Sequence, residues 1–283
     1  MNGTELLSMK QFAEYTGLKQ STLRYYDEIG LFSPVRRGEN NYRYYSPQQI
    51  ITLNLIQTLT RLGISLEKIG ELERSRTPEM IMELLVEQED ELDRQLRHIR
   101  ENYSIIHTLN RMIQIGSTAQ EERIVERVLR AYPLILGPIN DFEDNQFFYE
   151  TFFRFCAEAK NRRINLCYPV GGYFEDIDVF INTPSQPTRF FSLDPTGADT
   201  KKAGRHLVGY IRGYYGDMGD MPERLITYAY EHNFRFTGPL YVTYVHDEIT
   251  IKDPNRFLAQ VSVPVAPNKK RAINRTANVR GDI

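Results

Sequence analysis

With 283 residues, the chain is long enough for two folded units at roughly 100 to 200 residues each. It is 41% apolar and 25% charged, which excludes a collagen, a wholly disordered chain and a disulfide scaffold. No apolar run approaches the roughly 18 uncharged residues of a spanning helix, and Met1 to Lys10 lacks a basic segment followed by an apolar one, so a cytoplasmic protein without a membrane partner is expected. The net charge of −2 argues against indiscriminate coating of a polyanion but leaves room for a local basic surface. Cys156 and Cys167 sit at no metal spacing, so neither a metal nor a cofactor is expected. Of 33 Tyr and Phe residues, nine precede residue 119, so the two halves are built for different work.

Ser8 with Gln11 three residues on has the form of a capping box, and Met9, Phe12 and Ala13 follow at helical spacing until Gly17. From Gln20 to Ile29, Leu23, Tyr26 and Ile29 share one face and leave Ser21, Thr22, Arg24 and Tyr25 for the other. Two helices across a tight glycine turn form a helix-turn-helix, whose second helix can enter a major groove, where Arg reads guanine edges and Ser or Thr bonds either base type. Phe32-Ser33-Pro34 leads into a turn-rich stretch, Val35 to Tyr45, with three Arg against one Glu, which reads as a hairpin wing along a phosphate backbone. Ser46 and Pro47 are expected to open a third helix as N-cap and first residue. Its core face would be Ile50, Leu53, Ile56, Leu59 and Leu62, and Gly63 to Glu67 would turn into a further short helix. The DNA-facing candidates are Ser21, Thr22, Arg24, Tyr25, Arg36, Arg37, Tyr42, Arg43 and Arg61.

The string Thr22-Leu23-Arg24-Tyr25-Tyr26-Asp27-Glu28-Ile29-Gly30-Leu31-Phe32-Ser33-Pro34, then Asn41-Tyr42-Arg43-Tyr44-Tyr45 and Leu62-Gly63-Ile64-Ser65-Leu66, closely resembles the N-terminal domain of MerR-family transcription regulators over residues 6 to about 72. The resemblance implies a dimeric winged-helix regulator of double-stranded promoter DNA that binds a palindrome between widely spaced −35 and −10 elements. Distorting and undertwisting that spacer would let RNA polymerase engage both, at a cost set by DNA stiffness. It also implies that Arg24 and Tyr25 lie on the recognition helix, that Arg36, Arg37, Tyr42 and Arg43 lie on the wing with Arg43 as a phosphate clamp, and that Tyr26 belongs to the core.

Thr77-Pro78-Glu79 is a strong helix start, and neither Gly nor Pro recurs before Gly116, which predicts a helix of nearly forty residues, roughly 55 Å. Leu85, Leu92, Ile99, Ile106 and Ile113 recur at sevens, while Gln88, Gln95 and Asn102 are polar at the alternate positions, giving a narrow seam for a homodimer. The resemblance adds that this helix pairs antiparallel across a two-fold axis. Metal sensors of the family carry thiolates near its two ends; no Cys lies around Thr77 or Gly116, which disfavours that branch.

Beyond Gly116 the patterning predicts strand 124–136, helix 145–160, strand 164–169 and strand 173–182. It then repeats: strand 206–215, helix 222–233, strand 240–246 and strand 257–265. Two strand-helix-strand-strand repeats suggest a pseudo-two-fold with a cleft between the halves. Gly204 to Gly213, Met221 to Leu225 and Phe236 to Val242 resemble the gyrase-inhibitor-like effector-binding domain of the multidrug-sensing MerR branch, in which an aromatic cleft holds lipophilic cations. Ring faces attract a diffuse cation at about 0.5 to 2 kcal/mol each, and a carboxylate supplies countercharge. The branch's acidic residue is Val242 here, so Glu175, Asp176 or Asp178 are candidate replacements, with Glu175 at inward parity. Tyr168, Tyr214, Tyr241 and Tyr244 are the candidate wall.

No phosphate-binding glycine loop, His-Glu-x-x-His or nucleophile elbow is present, the five His are dispersed, and His246-Asp247-Glu248 reads as a turn, so an enzyme is not expected. A hydrolase or ligand-sequestering protein is the alternative. The expected α+β organisation is a winged helix-turn-helix domain (1–75), a coiled-coil dimerisation helix (76–118), an effector-binding domain (119–266) and a basic, disordered tail (267–283).

Overall fold

The computed structural model describes residues 5–39, 41–121, 123–142, 148–162 and 164–268. The chain divides into two compact units, Met1–Ile99 and Arg100–Ile283.

In the first unit, β1 (Leu7–Ser8) leads into α1 (Met9–Thr16) through the expected capping box: the Ser8 N–H donates to Gln11 Oε1 at 2.9 Å and the Gln11 N–H to Ser8 Oγ at 3.4 Å. Gly17 ends the helix at φ +69, a conformation that costs a Cβ-bearing residue strain. After α2 (Gln20–Glu28), β2 (Arg36–Arg37) and β3 (Arg43–Tyr45) form the wing hairpin, and β1 joins it to make a three-stranded sheet ordered β1-β3-β2. Then come α3 (Gln49–Arg61) and α4 (Leu66–Ser75), the latter capped by Ser65 Oγ accepting from the Lys68 N–H. Phe12, Leu23, Tyr45, Leu53, Ile56 and Ile69 are fully buried, with the Phe12 and Tyr45 rings stacked at 4.6 Å.

Two expectations need correction here. The third helix starts at Gln49, not at Pro47, because Pro47 and Gln48 form a turn in which the Gln49 N–H bonds the Ser46 carbonyl. Leu62, placed on the core face, is the C-cap and is exposed, since the helix has already turned away.

α5 (Pro78–Ser117) is 40 residues long, matching the uninterrupted stretch between its proline and its terminal glycine. Thr77 Oγ1 accepts from the Met80 N–H at its start, and Arg94 pairs with Glu91 at 2.7 Å along its surface.

The second unit curls one antiparallel sheet around two repeats. β4 (Val125–Leu129), β5 (Tyr132–Ile139), α6 (Phe148–Arg162), β6 (Val170–Phe174), α7 (Ile177–Asn182), β7 (Arg189–Ser192) and β8 (Asp199–Lys201) precede the midpoint. β9 (Gly204–Arg212), α8 (Met221–Glu231), β10 (Phe234–Phe236), β11 (Leu240–His246), a 3-10 turn (Pro254–Arg256) and β12 (Leu258–Pro267) follow it. Among the described residues the strand order is β4-β9-β12-β11-β6-β7-β5-β8, with β10 against β12. Each repeat runs strand, helix, strand, strand: β5-α6-β6-β7 and β9-α8-β11-β12. In both, the third strand lies between the first two, and the second strands β6 and β11 meet at the centre, with Tyr241 opposite Tyr173.

The pseudo-two-fold is therefore present, but its first half is drawn differently from the expectation. Strand 124–136 is two strands, β4 on β9 and β5 on β7 and β8, broken at Arg130 and Ala131. The segment 164–169 is not a strand: Asn165 Oδ1 accepts from the Cys167 N–H in a turn, and Pro169 has no N–H to give a ladder. Within 173–182 the strand ends at Phe174 and a helix begins, because Asp176 Oδ1 accepts from the Val179 N–H as an N-cap and Phe180 tucks edge-on against Phe174 at 5.0 Å. Helix 145–160 appears as α6; residues 143–147 and, in the basic tail, residues 269–283 lie outside the described residues.

Candidate functional site

Ser21, Arg24 and Tyr25 are exposed on α2 and Thr22 is half-buried, so the face expected to read bases is open, while Leu23 and Tyr26 hold the other face in the core. On the wing, Arg36, Arg37 and Tyr42 are exposed, and the Arg36 guanidinium lies 5.3 Å from the Tyr44 ring centre. Arg61, the last residue of α3, is exposed as well.

Arg43 departs from the phosphate-clamp expectation. Its Nε donates to Asp27 Oδ2 at 2.6 Å and its side chain is 18% exposed; Arg37 reaches the same oxygen at 2.7 Å. The Asp27 side chain is 1% exposed, near the end of α2. Burial alone would raise this carboxyl, but hydrogen bonds from Arg43 and Ser33 and the charges of Arg37 and Arg43 outweigh it and hold it below its ordinary value. The same bond raises the Arg43 guanidinium. Asp27 thus ties α2 to both wing strands. Sequence alone does not set it apart from Glu28 beside it, because its partners lie ten and sixteen residues away.

On one face of the second unit's sheet lies a groove of about 400 Å³, walled by α6, by the segments 166–174 and 184–190, by Tyr215 to Met218, and by β11 and the turn after it. Its size follows partly from glycine. A Cβ at Gly172 would come within 3.0 Å of Pro187, and one at Gly171 within 2.4 Å of the Val242 carbonyl, so β6 can only pass here without side chains. Phe152 and Phe190 meet edge-on at 5.3 Å on one side; Tyr215 and Tyr244 meet edge-on at 4.5 Å on the other. Tyr244 is fixed by accepting from the Gly216 N–H at 2.7 Å and donating to the Tyr214 carbonyl.

Asp247 and Glu248 supply the groove's negative charge. Tyr215 donates its hydroxyl hydrogen bond to Glu248 Oε2; burial first, then that carboxylate, push the phenol far above its ordinary range. Burial likewise raises the Asp247 carboxyl, with the Glu248 charge adding to it against hydrogen bonds from the Ile249 and Asp247 N–H groups. A half-buried carboxylate, with an exposed one next to it, beside aromatic faces suits a bulky cation.

Of the residues expected to line this site, Tyr168 and Tyr244 do. Val242 lines it too, so the apolar residue at the branch's acidic position does face the groove. Tyr241 points to the opposite face of the sheet, one residue out of phase with Tyr244's parity. Tyr214 is 42% exposed and contributes its carbonyl rather than its ring. Glu175, Asp176 and Asp178 are exposed and outside the lining, because the segment carrying them is a cap and helix rather than a strand. The carboxylates that do line it stand in the His246-Asp247-Glu248 turn, where they follow directly on the strand bearing Tyr244. Among the described residues no group of three or more His, Cys, Asp or Glu could hold a metal ion, and no helix is long and apolar enough to cross a membrane.

The family profile falls within the first unit, whereas the full-length relatives align across both. The profile of the MerR HTH family regulatory proteins matches residues 7–76. The chain is 24% identical over 260 residues to the Multidrug-efflux transporter 2 regulator of Bacillus subtilis (strain 168), across 90% of this chain and 94% of that protein. It is 32% identical over 100 residues to the Heavy metal-dependent transcription regulator 2 of Rhizobium meliloti (strain 1021), across 34% of this chain and 68% of that protein. A cryo-EM structure of an EcmrR–DNA complex in EcmrR-RPo aligns with 92% of this chain and 100% of its own at a TM-score of 0.38 and 15% identity. The winged helix-turn-helix, read with the matched profile and the 32% identical relative, shows that the chain belongs to the MerR family of regulatory proteins.

Proposed function

We propose that the protein is a homodimeric transcription activator that binds a palindromic promoter through α2 and the wing and responds to lipophilic cations held in the groove of the second unit. The observation that carries this reading is the groove itself: an aromatic cavity with two carboxylates, on a chain whose other unit is a winged helix-turn-helix. Similarity to a multidrug-efflux regulator along 90% of the chain supports the ligand class. Cation binding would favour a dimer conformation that undertwists the spacer, aligning both promoter elements for RNA polymerase, and ligand and distorted DNA would then strengthen each other's binding reciprocally. The groove lining supports a sensor over a hydrolase. Among the described residues it contains no histidine, and burial raises the Cys156 thiol, away from the thiolate a nucleophile needs.

Transcription in vitro from the promoter upstream of the protein's own gene, with and without tetraphenylphosphonium, tests the whole reading. Stimulation that depends on protein and cation together is the expected result; cation binding without any change in transcript would overturn it. For the groove, Glu248→Gln with Asp247→Asn is expected to weaken tetraphenylphosphonium about tenfold in calorimetry while leaving neutral triphenylphosphine oxide within about twofold. Glu175→Gln should change neither. Since the Asp247 carboxyl is raised above the usual 3.8, cation affinity should begin to fall, as pH is lowered, earlier than an ordinary carboxylate would dictate. For the DNA face, Arg24→Ala should weaken operator binding about tenfold and relax preference at one base pair in each half-site, as read by titration of single-substituted duplexes.

A further inference from the structure

The sheet of the second unit has another cavity on its opposite face, of about 340 Å³, and its charge is opposite in sign. Side chains alternate along a strand, so Val242 and Tyr244 of β11 face the first groove while Tyr241 and Thr243 face this one. Four cationic side chains converge here: Arg111 from α5, Arg127 from β4, Arg130 from the β4–β5 connection and Lys201 from the end of β8. Among the described residues, no Asp or Glu lines it. Aromatic rings share the wall. The Arg111 guanidinium lies 4.9 Å from the centre of the Tyr132 ring and the Lys201 ammonium 5.0 Å from that of Tyr241, while Tyr210 accepts a hydrogen bond from Gln260 at 2.9 Å.

Lys201 is the informative residue. Its ammonium donates to Ser262 Oγ, a neutral oxygen, and rests on a ring face, on a residue that is half-buried. Burial first, then the Arg111 charge, draw its pKa down to about 8. A partly buried cation is ordinarily matched by a carboxylate or another anion, because leaving it with neutral partners alone forgoes much of the lost hydration. Three further cations around the same space, with no acid among the lining residues, make an anion from outside the complementary partner.

We propose that this second cavity binds an aromatic organic anion, its acid group received by Lys201 and the neighbouring arginines and its ring by Tyr132, Tyr210 and Tyr241. The two faces of one sheet would then take ligands of opposite charge, the first against Asp247 and Glu248, the second against Arg111 on the last turns of α5. Occupancy of the second cavity contacts the long helix directly, through Arg111, Met112 and Ile115.

Calorimetry on the full chain with 1-naphthoate, and with neutral 1-naphthamide as the uncharged match, tests the proposal. One naphthoate per chain is expected to bind, at least tenfold more tightly than the amide. Arg127→Glu with Arg130→Glu, both exposed and at or beside an edge strand, should lower naphthoate affinity at least tenfold and leave the amide and the tetraphenylphosphonium affinity of the first groove unchanged. Lys201→Met, if its thermal melt stays cooperative, should do the same; if it does not fold, the arginine pair carries the test. No naphthoate binding at millimolar concentration, an affinity indifferent to the arginine reversals, or equal losses for acid and amide would each overturn the assignment. These outcomes leave the cation groove and the transcription result untouched, so the two readings fail separately.

Discussion

Asp27→Ala is expected to destabilise the first unit by about 2 to 3 kcal/mol and to cost roughly a hundredfold in operator affinity. One buried oxygen of this side chain accepts from Arg37 of β2 at 2.7 Å and from Arg43 of β3 at 2.6 Å, so a single carboxylate holds both wing strands against α2. Removing one partner of a buried pair typically costs about 3 to 5 kcal/mol. The estimate is reduced because Arg37 is 46% exposed and Arg43 18% exposed, so both guanidinium groups can regain some water. The larger effect falls on DNA, since releasing the wing removes Arg36, Arg37 and Tyr42 from a fixed position beside the recognition helix. The pH dependence has a definite sign. A carboxyl held below its unfolded value contributes fully above that value and loses its contribution as pH falls through the lower folded one. The advantage of the wild type over Asp27→Ala should therefore be complete at pH 7 and shrink below about pH 3.8, the ordinary value for this group. Urea melts followed by circular dichroism at pH 7 and pH 3, with operator titrations at pH 7, measure both effects. An unchanged melting midpoint together with unchanged operator affinity would show that the wing is held by its backbone alone.

What could be read from the sequence was what is decided within a few residues. Ser8 with Gln11 and Gly17 are signals for helix ends, and both appear at the place expected, because a cap is satisfied by the backbone beside it; Ser46 with Pro47 does not, since the chain makes a turn there first. The 40-residue helix was legible for the same reason: neither Gly nor Pro breaks it. The failures share a different cause. Residues 175–181 alternate as a strand would, yet Asp176 can cap a helix whose Phe180 reaches the core, and only the finished core decides between the two. β7 and β8 are short strands that pair with β5, more than fifty residues earlier, and the choice of partner leaves no local trace. The exposed side of α2 was visible from periodicity, whereas the work of Arg43 depended on Asp27 sixteen residues away. Asp247 and Glu248 were correctly placed in a turn; what sequence could not supply was the curl of the sheet that brings this turn over an aromatic groove.

Ile99→Asp is expected to convert the protein to monomers at micromolar concentration and to lower operator affinity by at least a thousandfold. Leu85, Leu92, Ile99 and Ile106 are 41%, 44%, 61% and 58% exposed along α5, a regular stripe of large apolar side chains seven residues apart. Stripes of that period face a second helix, because 3.5-residue spacing keeps one seam turned toward a partner through a slight supercoil. Burying an Ile side chain is worth about 1.5 to 3 kcal/mol, and a charged group in the same place must also be desolvated without a partner. A symmetric interface meets each substitution twice, so a penalty of about 3 kcal/mol per chain becomes about 6 kcal/mol per dimer, more than four powers of ten in the dissociation constant. Operator affinity follows because a palindrome is read by two linked domains, and a monomer forfeits the second binding event that the linkage makes intramolecular. Sedimentation equilibrium gives the association state, and titration of an inverted-repeat duplex against a single half-site gives the coupling. A helix whose stripe is covered by its own chain in solution would leave Ile99→Asp dimeric or simply unfolded. The conservative Ile99→Ala separates these cases: it should fold with a wild-type far-ultraviolet spectrum and weaken the dimer by an intermediate amount.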